Sequence, residues 1–169
     1  MPQQPRKLIA ILVDGLSADY FDGHRQRMPH LSAMAEDGTR VMRLASAVPA
    51  TSMPGRATML TGAPPERHGA WGNHIFDGQN FRCALANDLQ VPTIAGRAKT
   101  AGRDVAVVGH AMVHPGDAGC FYPPWWLRGF VHGSRFAKSA RLDGGIYTDQ
   151  VLDPDGRLAA AMVAEGPLL

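Results

Sequence analysis

Lys7-Leu8-Ile9-Ala10-Ile11-Leu12-Val13-Asp14-Gly15 is the stretch that decides the fold class. It is a short, continuously apolar run, with β-branched side chains at Ile9, Ile11 and Val13, and it stops abruptly at Asp-Gly. Such a run predicts a central parallel strand buried on both faces. Asp14 then falls at the carboxyl end of that strand, the edge where ligands bind in open α/β sheets.

Outward from this strand, helical and extended patterns alternate. Met28–Gly38 places Leu31, Met34 and Ala35 at helical spacing, with Pro29 near the start and Gly38 at the end. Thr39–Val48 alternates partly and predicts a strand. Ser52–Gly62 predicts a helix opened by Ser52, with Pro54 in its first turn and Gly62 as its stop. Pro92–Gly102 predicts another helix and Asp104–Gly109 another buried strand. Gly116–Gly144 predicts mostly loop, Gly156–Glu165 an alanine-rich helix, and Leu168-Leu169 the first step into a further strand. The order of elements is that of an α/β sandwich.

Bulk properties narrow the function classes. The chain has 169 residues, enough for one domain with a core, and a net charge of +2 with its basic residues scattered. No nucleic-acid partner is expected. The run Leu8–Val13 is six residues long. That is shorter than the ~7–15 apolar residues of a secretory leader and far short of the ~20 that cross a bilayer. No membrane association and a cytoplasmic location are therefore expected. Cys83 and Cys120 belong to no CxxC pair, which suits two free thiols in a reducing compartment.

Two positions carry chemical promise. Ser52 stands at a loop-to-helix junction, where free backbone N–H groups and the helix dipole attract oxyanions. A serine hydroxyl holds its proton tightly at pH 7, and a divalent metal relieves this by stabilising the alkoxide. Asp14 offers a hard oxygen ligand for such an ion. Each position also has a plain reading, Ser52 as a helix cap and Asp14 as a turn residue.

The segments around them resemble those of type I phosphodiesterases/nucleotide pyrophosphatases, in the alkaline phosphatase superfamily. Ile9–Gly15 resembles their first metal-binding strand. Met28-Pro29-His30-Leu31 with Glu36-Asp37-Gly38-Thr39 resembles the helix that follows. Pro49-Ala50-Thr51-Ser52-Met53-Pro54 with Thr61-Gly62 resembles the nucleophile segment, and Pro65-Glu66-Arg67-His68-Gly69 with Gly72-Asn73 resembles the segment after it. The resemblance implies a three-layer sandwich with a mostly parallel central sheet and hydrolysis of small-molecule phosphoesters or phosphodiesters through a covalent phosphoserine. It also implies two divalent metals, with zinc the usual ion.

Carried over residue by residue, Asp14 is a metal ligand, and Ser52 is the nucleophile whose oxygen also touches the metal. Thr51 takes that role if the alignment slips by one. Gly55 stands where the family has an asparagine that helps hold a phosphoryl oxygen, and Arg56 is a substitute, since a guanidinium holds phosphate oxygens in pairs. His68 falls in a His-Gly that the family uses structurally. His110 and His114 follow a predicted strand near the active edge but match no ligand spacing. The aromatic stretch Phe121–Trp126 fits either a pocket lining or a loop packed on the core.

Ser52-Met53-Pro54-Gly55-Arg56 with Leu60-Thr61-Gly62 also resembles the sulfatase signature, in which the residue at position 52 becomes formylglycine. The single Asp14 followed by Gly15 suits the phosphodiesterase branch better. The superfamily's remaining ligands are an Asp-x-x-x-His pair, an Asp-His pair and a further His, and neither pair occurs in the chain. The expectation is half of a bimetallic site: a partial catalytic domain over 1–169 that lacks its C-terminal part or is completed by another chain. An inactive fragment is the alternative.

Overall fold

The computed structural model describes residues 7–122 together with Pro124, Pro154 and Asp155. These fall into two compact units, Met1–Ala45 and Ser46–Leu169.

The first unit holds helices α1 (Ala18–Gly23) and α2 (Pro29–Asp37), with a short 3-10 turn at Arg25–Arg27 between them. The Ser17 hydroxyl caps α1 by accepting from the Tyr20 N–H at 3.1 Å. Pro29 opens α2 in the position where its missing N–H does no harm. Neither helix buries a residue. Polar contacts tie the unit instead: Arg25 pairs with Glu36 at 2.8 Å, Arg40 with Asp22 at 2.6 Å, and both guanidinium groups lie over the Phe21 ring.

The second unit carries helices α3 (Ser52–Thr61), α4 (Pro65–His68) and α5 (Ile94–Thr100) and two small sheets. Strands β1 (His74–Phe76) and β2 (Phe81–Cys83) form an antiparallel hairpin in the register Ile75 to Arg82. Its turn is shaped by the Asp77 carboxylate, which accepts from the Gln79 and Asn80 N–H groups. Strands β3 (Ala106–Val108) and β4 (Cys120–Tyr122) pair in parallel. The core is made of small and flexible side chains. Met53, Ala57, Ala70, Cys83, Ala84, Ala111 and Met112 form one cluster, and Ala95, Val107, Val113, Ala118 and Phe121 another; Leu60 packs on both. Met53, Ala57 and Leu60 lie at helical spacing, so α3 turns this stripe inward.

Mixed helices and small sheets are consistent with the α/β class. Two expected strands are not formed. Residues 7–13 enter no ladder, and Leu8, Ile9 and Ile11 stay exposed. Thr39–Val48 is likewise irregular, with Leu44 and Val48 exposed. A parallel strand has no hydrogen-bonding partner within its own segment, so an apolar run becomes a strand only where another strand is at hand. Conversely β4 lies in a stretch expected to be loop. The expected helix Gly156–Glu165, the step at Leu168-Leu169 and the pair Trp125-Trp126 lie outside the described residues. No helix among the described residues is long and apolar enough to cross a membrane.

Candidate active site

Helix α3 builds the site. Thr51, not Ser52, is its N-cap, and the Thr51 hydroxyl makes no capping bond. Ser52 is therefore the first helical residue, and its side chain is exposed while Met53 and Pro54 behind it are buried. The helix ends at Gly62, whose left-handed φ of 66° a glycine adopts without strain.

The first turn of α3 has few donors left to spend inside the protein. Pro54 has no N–H, and the Gly55 N–H closes the first helical bond to the Thr51 carbonyl at 3.0 Å. The Met53 N–H donates to the Asn73 side-chain oxygen at 2.8 Å. Asn73 itself is fixed, since its carbonyl accepts from the Ala84 N–H at 2.9 Å. With its oxygen committed to the helix, the Asn73 carboxamide has its NH2 group to offer elsewhere. The Ser52 N–H and the helix dipole complete an oxyanion-attracting end.

Arg56 follows Ser52 by one helical turn, on the same side of α3. It is half-buried. Gly55 between them leaves open space, because a Cβ built there meets no atom within 4 Å. His110 stands just past the carboxyl end of β3, and its Nδ1 is buried with no hydrogen-bond partner among the described residues. Burial, and after it the charge of Arg56, push the His110 pKa down to about 4. The imidazole is thus neutral at pH 7 and within electrostatic reach of Arg56.

The other expected candidates fall elsewhere. His68 is fully buried. Its Nδ1 accepts from the Ala70 N–H at 3.1 Å, which leaves the proton on Nε2 to donate to the Thr58 hydroxyl at 3.0 Å. It is scaffold between α3 and α4. His114 accepts from the Gly116 N–H at 2.9 Å and shapes a turn. Phe121 is in the core rather than a pocket wall. Asp14 belongs to the first unit, exposed, in a turn where Gly15 has φ 73°.

Asp14 and Ser52 supply hard oxygen donors of the kind a divalent ion takes. Among the described residues no three His, Cys, Asp or Glu side chains gather into a metal-holding group. These residues suit part of a ligand set in kind and fall short of a whole one in number. In the sequence Asn73 stands only as half of a Gly-Asn motif with no role; its bond to the Met53 N–H is what ties it to the first turn of α3. His110 stands there by its place after a predicted strand.

The family model for type I phosphodiesterase/nucleotide pyrophosphatase matches residues 8–156. The chain is 33% identical to alkaline phosphatase PhoK of a Sphingomonas species, over 74% of this chain and 27% of that protein. It is 37% identical to a fission-yeast (Schizosaccharomyces pombe) protein named as an uncharacterised pyrophosphatase/phosphodiesterase, over 51% of this chain and 18% of that one. An ectonucleotide pyrophosphatase/phosphodiesterase of Caenorhabditis elegans is 33% identical over 47% of this chain and 10% of its own length. The chain thus spans 27% or less of these relatives. No solved structure matches it. Between the two signatures that the Ser52 segment resembles, the family match falls on the phosphodiesterase side.

Proposed function

This chain belongs to the type I phosphodiesterase/nucleotide pyrophosphatase family, and from that premise we propose that the complete protein hydrolyses small-molecule phosphodiesters with Ser52 as nucleophile. One observation carries the reading. The matched segment puts an exposed serine at the N-terminus of α3, with Asn73 holding the next backbone N–H and Arg56 one turn on.

In the proposed reaction the Ser52 Oγ attacks phosphorus and displaces the leaving alcohol, which takes a proton. Water then attacks the phosphoserine, releasing a phosphate monoester and restoring the hydroxyl. The Ser52 N–H, the Asn73 NH2 and the Arg56 guanidinium surround the phosphoryl oxygens and stabilise the charge that grows on them. Gly55 leaves room for the substrate over the first turn.

Asp14 is proposed as a carboxylate ligand of a divalent metal, zinc by family habit, with the Ser52 oxygen as a second donor and the remaining ligands outside the described residues. Such an ion favours the deprotonated hydroxyl and polarises the phosphoryl group. The fold proposed for the complete domain is the three-layer sandwich, with residues 7–13 as a central strand.

The test is turnover of bis-p-nitrophenyl phosphate by the full-length protein supplied with zinc, together with acid-quench mass spectrometry. Phosphoserine is expected at position 52. Ser52→Ala is expected to lower kcat by roughly 10³-fold or more. A Ser52→Ala protein that keeps the full rate removes Ser52 as nucleophile.

A further inference from the structure

The bonds that fix Asn73 continue beyond it. Its backbone carbonyl accepts from the Ala84 N–H at 2.9 Å, next to the last paired residues of the β1–β2 ladder, His74 and Cys83. Ala84 is fully buried and packs in the cluster that holds Met53 and Ala57 of α3. The residues on either side of Ala84 are both tied to one ion pair. Arg82 Nη1 donates to the Cys83 carbonyl at 3.1 Å, and the Asp88 carboxylate accepts from the Leu85 N–H at 2.8 Å. Arg82 and Asp88 meet through two bonds, Nη1 to Oδ2 at 2.9 Å and Nη2 to Oδ1 at 2.7 Å. The carboxylate of Asp77, in the hairpin turn, lies 3.5 Å from the same guanidinium. Ion pairs between two exposed side chains contribute little. This pair is bidentate, the Asp88 side chain is only 14% exposed, and each partner also holds a backbone group.

We propose that Arg82 and Asp88 are positioning residues of the active site, a clamp across residues 83–85 that holds Ala84 and, through it, aims the Asn73 carboxamide at the phosphoryl group. The inference rests on the reading of Ser52 as nucleophile and of the Asn73 NH2 group as a donor to the phosphoryl oxygens. The pair acts through Asn73 and not on the substrate. Each link is a hydrogen bond or a chain neighbour: the pair to Cys83 and Leu85, these to Ala84, Ala84 to the Asn73 carbonyl, and the Asn73 oxygen to the Met53 N–H beside Ser52. A donor to a growing oxyanion works over a narrow range, about 2.7–3.1 Å. A small drift of Asn73 therefore weakens the transition state more than it weakens substrate binding.

The test measures kcat and KM for bis-p-nitrophenyl phosphate in the full-length protein with zinc. Arg82→Met and Asp88→Ala each break the clamp, whereas Asp88→Asn keeps an oxygen for the Leu85 N–H and one for Arg82. Arg82→Met and Asp88→Ala are expected to lower kcat by about tenfold with KM within about threefold of the parent, and Asp88→Asn to keep kcat within about threefold. Each substitution is then repeated in an Asn73→Ala protein. If the pair acts through Asn73, its loss there is expected to change kcat by no more than about twofold.

Parental kcat in both Arg82→Met and Asp88→Ala overturns the proposal. So does the same tenfold loss with and without Asn73, which marks a pair that only supports the fold. If circular dichroism shows that Asp88→Ala does not fold, Arg82→Met decides, because its side chain is 39% exposed and leaves no buried gap. The reading beneath fails separately, by full activity in Ser52→Ala or in Asn73→Ala, and this inference then falls with it.

Discussion

Asn73 holds the site with a single carboxamide whose two ends do different work. Its oxygen takes the Met53 N–H at 2.8 Å, and its NH2 group is the end proposed to meet phosphate. The two roles separate in two variants. Asn73→Ala leaves the Met53 N–H without its acceptor, and a lost helix cap costs about 1 kcal/mol. Asn73→Asp keeps an acceptor, and a carboxylate suits the helix N-terminus. It loses the donor and sets a negative charge against the substrate. Asn73→Asp is therefore expected to unfold at a urea midpoint at or above that of the parent protein, yet to lose about 10²-fold in kcat/KM, on the order expected for removing an oxyanion donor. Similar rates for Asn73→Asp and the parent protein would exclude the NH2 group from the site. The helix that carries Ser52, Gly55 and Arg56 was legible in the sequence because its start and its first turn lie within one short motif. Asn73 was not, because its partner is 20 residues away and only the folded hairpin brings them together.

Helix α3 is held to α4 through His68, and that link carries a pH dependence. The ring is neutral in the fold because burial lowers its pKa below 6.5, against smaller raising effects from Glu66 and the backbone. The unfolded chain therefore binds the proton first as pH falls. Stability from this group is complete above pH 6.5 and is lost as pH drops from 6.5 to the lower folded value. His110 adds to the same trend between 6.5 and about 4. The urea midpoint is expected to fall between pH 7.5 and pH 5.5. His68→Asn, whose oxygen can still accept from the Ala70 N–H, is expected to cost about 1–2 kcal/mol at pH 7.5 and to flatten the slope. An unchanged slope in His68→Asn removes His68 from the pH response. Helices α2, α3 and α5 fall within a few residues of their expected bounds, since Pro29, Pro54, Gly62 and Thr93 are local signals. Strand β4 was missed because its three residues are set by pairing with β3 rather than by a pattern of their own.

The apolar run 8–13 poses the question of the whole molecule. Its composition is that of a strand buried on both faces, yet Leu8, Ile9 and Ile11 are each more than two-thirds exposed. Val41, Leu44 and Val48 are exposed in the same way. Sequence can report that a segment suits a sheet interior, because that is a property of its own side chains. It cannot supply the neighbouring strands, whose N–H and C=O groups must meet its own. The relatives are at least several times the length this chain spans. In the proposed three-layer sandwich the neighbours come from the rest of the catalytic domain. Amides paired on both sides in a central strand open only with large parts of the fold, whereas unpaired ones exchange almost freely. Hydrogen exchange of residues 8–13 is accordingly expected to be slower by about 100-fold or more in the full-length protein than in the 169-residue chain alone. The same comparison is expected to show the short chain binding a hydrophobic dye and the full-length protein binding little of it. Equal, rapid exchange in both would mean that the run is not a central strand, and that Asp14 does not stand at the carboxyl edge of a sheet where the proposed metal site requires it.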